Sequence, residues 1–295
     1  MTISTAAVVS DAVSLRSPIL DFPAGDILVI AHRGSSVTAP ENSLSAIGEA
    51  AALGVGMVEI DARQARDGQL LVIHDDTLDR TTEGTGAVAA YDGDAIRALR
   101  LRRSGGGKTM PLTDERVPTL LEALEEARGQ GVLVNVDTKS VSELPAVSRA
   151  ILDAGFARDV VVKAELSSAD LARLPADHPA FGPLPFMPVL NSAKGAFAAD
   201  IARFARLNPF MIEARPYCVE DLEAGMDAVR RLGARLWLNT LDVAHMTDFN
   251  DSAARGDANA IWGRLLDLGV GAIQTDESER LVSYLAARGL KSACP

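Results

Sequence analysis

The chain has 295 residues, 47% of them hydrophobic, and a formal net charge of −11. That content supports a large buried core, in one big α/β domain or two smaller ones, and excludes disorder, a coiled coil or a fibrous repeat. The acidic balance argues against a nucleic-acid partner, whose binding surface needs excess Lys and Arg, so any anionic small ligand would require a local source of positive charge.

The first residues, MTISTAAVVSDAVSLRSP, lack a basic start and a long apolar run, so they make a poor signal peptide. No apolar run approaches the ~20 residues of a spanning helix. The sequence therefore predicts a cytoplasmic protein without stable membrane anchoring, with residues 1–24 as an N-terminal extension of a single domain over 25–295. Cys218 and Cys294 lie far apart and read as incidental thiols.

Short apolar or β-branched runs then alternate with Ala- and Leu-rich helical patterns. Strands are predicted at ILVIAH (27–32), MVEIDA (57–62), VLVNVDTK (132–139) and VVVKAE (160–165). Four more follow at FMPVLN (186–191), FMIEAR (210–215), RLWLNT (235–240) and GAIQTD (271–276). The helices between them include NSLSAIGEAAALG, PTLLEALEEARGQG, SELPAVSRAILDAG, VEDLEAGMDAVRRLG and ANAIWGRLLDLG, each ending in Gly. Continuous apolar strands mean burial on both faces, as in a parallel sheet. Eight such units fit a closed (β/α)₈ TIM barrel better than an open doubly wound sheet, and no G-x-G-x-x-G follows the first strand. The rhythm breaks once, after the second strand, where an insertion of about 64–114 contains GQLLVIHDDTLDRTT and RRSGGGKT. Its LLVIH run reads as a strand, and its GGG as a mobile hairpin tip.

In a parallel barrel the active site lies at the C-terminal ends of the strands. His32 and Arg33 end the first strand. Glu59 and Asp61 are spaced by two on the second, so both side chains share a face, and Asp137 and Lys139 repeat that spacing on the third. Two unpaired carboxylates in an apolar mouth would cost several kcal/mol. A hard divalent cation removes the conflict, with Asp137 as a third oxygen ligand. Salt bridges to Arg33, Arg63 or Lys139 would serve as well, and spacing alone does not choose. His32 and His74 each stand beside charged neighbours and titrate near working pH, which suits acid–base cleavage of a phosphate ester. Arg33 would fork the phosphate and Lys139 add a point charge. His178 and His245 read as surface groups. Trp237 and Phe186 either line a substrate pocket or fill the barrel, with Trp237 kept as a substrate-binding candidate.

The combination of HRG with PEN (40–42), EID, and DGQLLVIHDDTLDRTT followed by G-x-G resembles the glycerophosphodiester phosphodiesterase family. VPTLLEALE, the D-T-K motif and GVGAIQTDESERLVSYL also have counterparts there, so the resemblance covers most of the chain. It implies a (β/α)₈ barrel with a small insertion after the second strand, and hydrolysis of glycerophosphodiesters to glycerol 3-phosphate and an alcohol. His32 and His74 would be the acid/base pair, with His74 protonating the leaving alkoxide, and Arg33 would bind the phosphate. Glu59 and Asp61 would hold one divalent ion, Mg²⁺ or Ca²⁺ with Mn²⁺ as an alternative, and Glu41 would sit close to it. The family usually carries Glu-x-Lys on the third strand. The shorter Asp137 stands here, which puts metal affinity and identity in question. The expected partner is a small-molecule phosphodiester, with a homo-oligomer left open. Rival readings are a lysophospholipase D or sphingomyelinase D-like enzyme, a non-catalytic phosphodiester-binding barrel, and a metal-independent phosphoinositide-cleaving barrel.

Overall fold

The computed structural model describes residues 22–23, 25–167, 184–243, 246 and 249–293. His178, His245, Cys294 and nearly all of the expected N-terminal extension lie outside them.

The chain begins with β1 (Leu28–His32), α1 (Leu44–Ala52) and β2 (Met57–Gln64). The insertion follows with β3 (Leu70–Val72), α2 (Gly93–Arg97), β4 (Arg100–Arg102) and β5 (Leu112–Arg116). Next come α3 (Leu120–Gln130), β6 (Leu133–Thr138), α4 (Leu144–Asp153), β7 (Val160–Glu165) and β8 (Phe186–Asn191). The described chain closes with α5 (Phe197–Phe204), β9 (Met211–Arg215), α6 (Val219–Leu232), β10 (Arg235–Asn239), α7 (Asp251–Gly256), α8 (Arg264–Leu268), β11 (Ala272–Thr275) and α9 (Ser278–Ala287).

Parallel pairing runs β1-β11-β10-β9-β8-β7-β6-β2, and β2 pairs back with β1, which closes an eight-stranded barrel. The (β/α)₈ expectation holds. Local chemistry places the helix ends. Ser43 caps α1 by accepting from the Ala46 amide, and Thr119 with Glu122 forms a capping box at α3. The predicted helix over 258–269 is not uniform. It opens as a π-helical turn at Asn259–Gly263, which buries Trp262 against Tyr284 at 5.9 Å between ring centroids.

Period-2 alternation separates two cores. Outward residues such as Val29, Val58, Val134 and Ile273 pack under the helices. Inward residues at the strand starts, among them Leu28, Met57, Leu133, Met211 and Trp237, plug the barrel floor. Toward the strand ends the inward positions turn polar, and this change creates the site. The insertion has its own small core of Leu71, Ile73, Leu78, Val88, Ile96 and Leu101. Its β3 pairs antiparallel with the end of β2, and the Ile73 amide donates to the Asp61 carbonyl at 3.0 Å. That bond fixes His74 at the mouth of the barrel.

Candidate active site

Strand register sets the depth of each group. His32 on β1 is level with Glu59 on β2, while Asp61, Asp137 and Lys163 are level across β2, β6 and β7. They face a cavity of about 190 Å³ that His74, Arg33, Arg215, Asn239 and Gln274 also line.

The turn after β1 explains the HRG and PEN motifs. Gly34 has φ +78, and a Cβ there would lie 2.7 Å from the Ala46 backbone, so only glycine fits. Arg33 (φ 55) and Asn42 (φ 59) are also left-handed, at about 1–2 kcal/mol each by the usual Cβ clash. The Asn42 amide accepts a hydrogen bond from the Asp61 main-chain N–H at 3.1 Å, and Arg33 O accepts from the Asn42 N–H at 2.9 Å. Asn42 Nδ2 donates to Asp61 Oδ2 at 2.8 Å, so this buried side chain clamps a carboxylate that the sequence reading left unsupported.

Glu59, Asp61 and Asp137 each offer a carboxylate oxygen, all within 4.8 Å of one another. Glu59 and Asp61 are buried, so crowding and desolvation both act on them. Burial raises the Glu59 carboxyl above its ordinary range, Lys163 opposes this, and Asp61 adds to it. Burial would raise Asp61 too, but Lys139 and Arg33 more than reverse it and hold its carboxyl well below the usual range. Three clustered hard oxygen donors fit a divalent cation.

Lys139 sits differently from the phosphate-binding role expected of it. Its ammonium donates to Asp61, and to Asp137 Oδ2 at 2.8 Å. The salt-bridge alternative is thus realised for these two carboxylates by Lys139. Arg63 takes no part, because its Nε donates to the His74 carbonyl at 2.7 Å.

Glu41 stands outside the carboxylate cluster. It meets that cluster through Arg33, which it shares with Asp61. Its two oxygens are taken by Arg80, at 2.7 and 2.8 Å, and Arg33 Nη1 donates to the same group at 2.8 Å. Arg33 Nε lies 3.4 Å from Asp61 Oδ2, so Arg33 is pinned between two carboxylates and poised at the cavity wall. Trp237 sits deeper than the substrate-binding role expected of it. It is fully buried in the barrel floor rather than on the cavity wall, and its indole N–H donates to Asn239 Oδ1 at 2.8 Å. Asn239, two residues on, reaches the cavity in its place.

Each histidine has its Nδ1 held by a carboxylate. His32 Nδ1 is 2.8 Å from Asp276 Oδ1, and His74 Nδ1 is 2.7 Å from Asp75 Oδ1. Asp75 is in turn gripped by Arg80 through both oxygens, at 2.8 and 2.7 Å. This arrangement orients the imidazoles and leaves Nε2 of each for chemistry. Burial lowers the His74 imidazole, Asp61 opposes this, and Lys139 and Arg33 reinforce it.

Beneath them lies a buried network that the sequence reading passed over as apolar strand. Lys163 Nζ donates to Glu213 Oε2 at 2.8 Å and is 3.5 Å from Glu59 Oε1. Glu213 Oε1 accepts from Arg215 Nη2 at 3.0 Å and from Asn239 Nδ2 at 2.9 Å. Burial would lower Lys163, yet Glu213 and Glu59 hold it above its ordinary range as an ammonium ion. A charged residue on an inward position of VVVKAE or FMIEAR was the available signal.

The family model for glycerophosphoryl diester phosphodiesterases matches residues 32–174, which hold Glu59, Asp61, Asp137 and both imidazoles, and a domain of unknown function matches 186–285. A glycerophosphodiester phosphodiesterase of Caldanaerobacter subterraneus subsp. tengcongensis is 30% identical over 269 residues, covering 89% of this chain and 99% of that protein. Among solved structures, a glycerophosphoryl diester phosphodiesterase from Parabacteroides distasonis aligns with a TM-score of 0.72 at 22% identity, covering 95% of this chain and 92% of that one. An Oleispira antarctica phosphodiesterase in complex with the product sn-glycerol-3-phosphate aligns at 0.66 and 22% identity, covering 92% and 100%. These two likenesses concern the fold, whereas the first relative matches nearly end to end in sequence. On that match, the chain belongs to the glycerophosphodiester phosphodiesterase family.

Proposed function

We propose that the protein hydrolyses glycerophosphodiesters to glycerol 3-phosphate and an alcohol. One observation carries this reading: two carboxylate-anchored imidazoles, an arginine and three clustered carboxylates face a single cavity. In the site, Arg33 binds the phosphoryl oxygens, and its charge offsets the repulsion of an acidic protein; at an effective dielectric near 20 such a contact at ~4 Å is worth about 4 kcal/mol. Glu59, Asp61 and Asp137 are the residues that would hold one divalent ion, Mg²⁺, Ca²⁺ or Mn²⁺. When bound, the ion supplies Lewis-acid stabilisation of charge on the phosphoryl oxygens.

His32 and His74 move the protons. Burial lowers the His74 imidazole and so favours its neutral form, which suits it to accept the proton from attacking water. His32, steadied by Asp276, then donates to the alkoxide as its P–O bond breaks. These roles exchange the two assigned to the histidines from sequence. Lys139 keeps Asp61 and Asp137 neutralised until substrate and ion arrive.

A second reading keeps the chemistry and enlarges the alcohol. Ala214, Pro216, Leu241, Val243 and Met246 give the cavity an apolar wall, which would suit the acyl chain of a lysophospholipid. Among the described residues no helix is long and apolar enough to cross a membrane. We place the enzyme in the cytoplasm, acting on a soluble diester.

The test is release of glycerol 3-phosphate from glycerophosphocholine, glycerophosphoethanolamine and glycerophosphoglycerol by the purified chain. Release from any of the three supports the assignment. Silence on all three, with turnover of a lysophospholipid, moves the assignment to the second reading.

A further inference from the structure

Gln274 is an inward residue of β11 that lines the cavity, is 2% exposed, and has no hydrogen-bond partner for its Oε1 among the described residues. A buried carbonyl oxygen without a donor is unfavourable, and such groups mark places where a ligand or water completes the site. Its strand neighbours do not supply the donor. On one side the level residue is Ile30, which is apolar. On the other it is Asn239, whose Oδ1 accepts from Trp237 and whose Nδ2 donates to Glu213. Neither that amide nor any other described group reaches Gln274 Oε1, so a residue lining the cavity keeps a buried acceptor unpaired.

The missing group must be a donor. A phosphoryl oxygen would be repelled by the Gln274 carbonyl, and phosphate has its own cation in Arg33 on the same cavity wall. Leu241 and Met246 line the same cavity and offer contact to carbon rather than to charge. A short polyol, with hydroxyls on one edge and C–H groups on the other, matches this pairing of one acceptor with an apolar wall.

We infer that Gln274 accepts a hydrogen bond from a hydroxyl of the substrate's glycerol moiety and makes the site selective for glycerol over hydroxyl-free phosphodiesters. This deepens the glycerophosphodiester reading and rests on it. A site built to pair a substrate hydroxyl discriminates against the analogue lacking it, because the buried acceptor is then left unpaired.

The experiment compares calorimetric binding of glycerol 3-phosphate and propyl phosphate, which differ only in the hydroxyls, to the wild-type chain and to Gln274→Leu. The wild type is expected to prefer glycerol 3-phosphate by about 10- to 100-fold, and Gln274→Leu to reduce that preference to within about threefold. Equal affinities in the wild type overturn the inference without any variant. An unchanged preference in Gln274→Leu, or in Gln274→Met should the first variant not fold, overturns it as well. Glycerol 3-phosphate release by the wild type, assayed in parallel, separates the two claims. A wild type that releases product yet binds both ligands alike sinks the Gln274 role alone, and one that releases none sinks the function.

Discussion

The Nδ1 of His32 lies 2.8 Å from Asp276 Oδ1, joining the end of the first barrel strand to the residue just past the last. Barrel closure therefore orients one imidazole, and the insertion orients the other through Asp75. If both act as proton-transfer groups, His32→Ala and His74→Ala each lower kcat by about two to four orders of magnitude while leaving the melting temperature near that of the wild type. Steady-state kinetics showing less than a tenfold loss for both would sink the assignment.

Lys163 is the ion on which the buried network turns. Its ammonium is 2% exposed between Glu213 and Glu59, so removing it takes the nearest cation from Glu59 and one of the partners of Glu213. Lys163→Met should destabilise the fold by about 3–5 kcal/mol, because buried Glu59 must then take up a proton or remain uncompensated, while Glu213 keeps only Arg215 and Asn239. Chemical denaturation at pH 7 reads this directly, and a loss below about 1 kcal/mol would contradict the network's importance.

Asp251, at the start of α7, is 1% exposed and accepts from Thr240 Oγ1, Thr275 Oγ1 and the Asp276 N–H, at 2.7, 2.7 and 2.8 Å. Burial nevertheless raises its carboxyl to about 6 from 3.8. The folded state then binds more protons than the unfolded state between those values, so this group's contribution is fully present below pH 3.8 and is lost as pH rises through about 6. Against Asp251→Asn, which does not titrate, the wild type should lose about 3 kcal/mol of relative stability across that window. Paired melts at pH 4 and pH 7 that give the same difference would refute the shift.

Lys139 and a divalent ion make opposing claims on Asp61 and Asp137. Lys139→Ala removes a positive charge that already neutralises them, so it should tighten divalent-ion binding by about tenfold or more while lowering turnover. Weaker ion binding in the variant, measured by calorimetry, would show that Lys139 supports the ion rather than competing with it.

The closed barrel was legible because each strand is a short apolar run bounded by turn residues, and register then aligns Glu59, Asp61 and Asp137 without further information. His32 and His74 were legible as histidines at strand ends beside charge. Asn42 was not, since its service to Asp61 depends on a left-handed turn that brings residues 19 apart together. Trp237 was ambiguous because the period-2 pattern assigns it an inward face, not a height, and register puts it in the floor with Asn239 above. Glu41 was placed near the metal by its motif, and Arg80, 39 residues later, draws both its oxygens away. Lys163 and Glu213 were hidden inside strands that read as apolar, where pairing across 50 residues satisfies their charges.

The central claim is ion-dependent cleavage of a glycerophosphodiester at the barrel mouth. Its most direct test follows glycerol 3-phosphate release from glycerophosphocholine by chelated protein, with Mg²⁺, Ca²⁺ or Mn²⁺ then added back. The structure predicts that release falls to background on chelation, returns with at least one ion, and does not return in Asp61→Asn. Release that chelation leaves unchanged would contradict the role given to Glu59, Asp61 and Asp137.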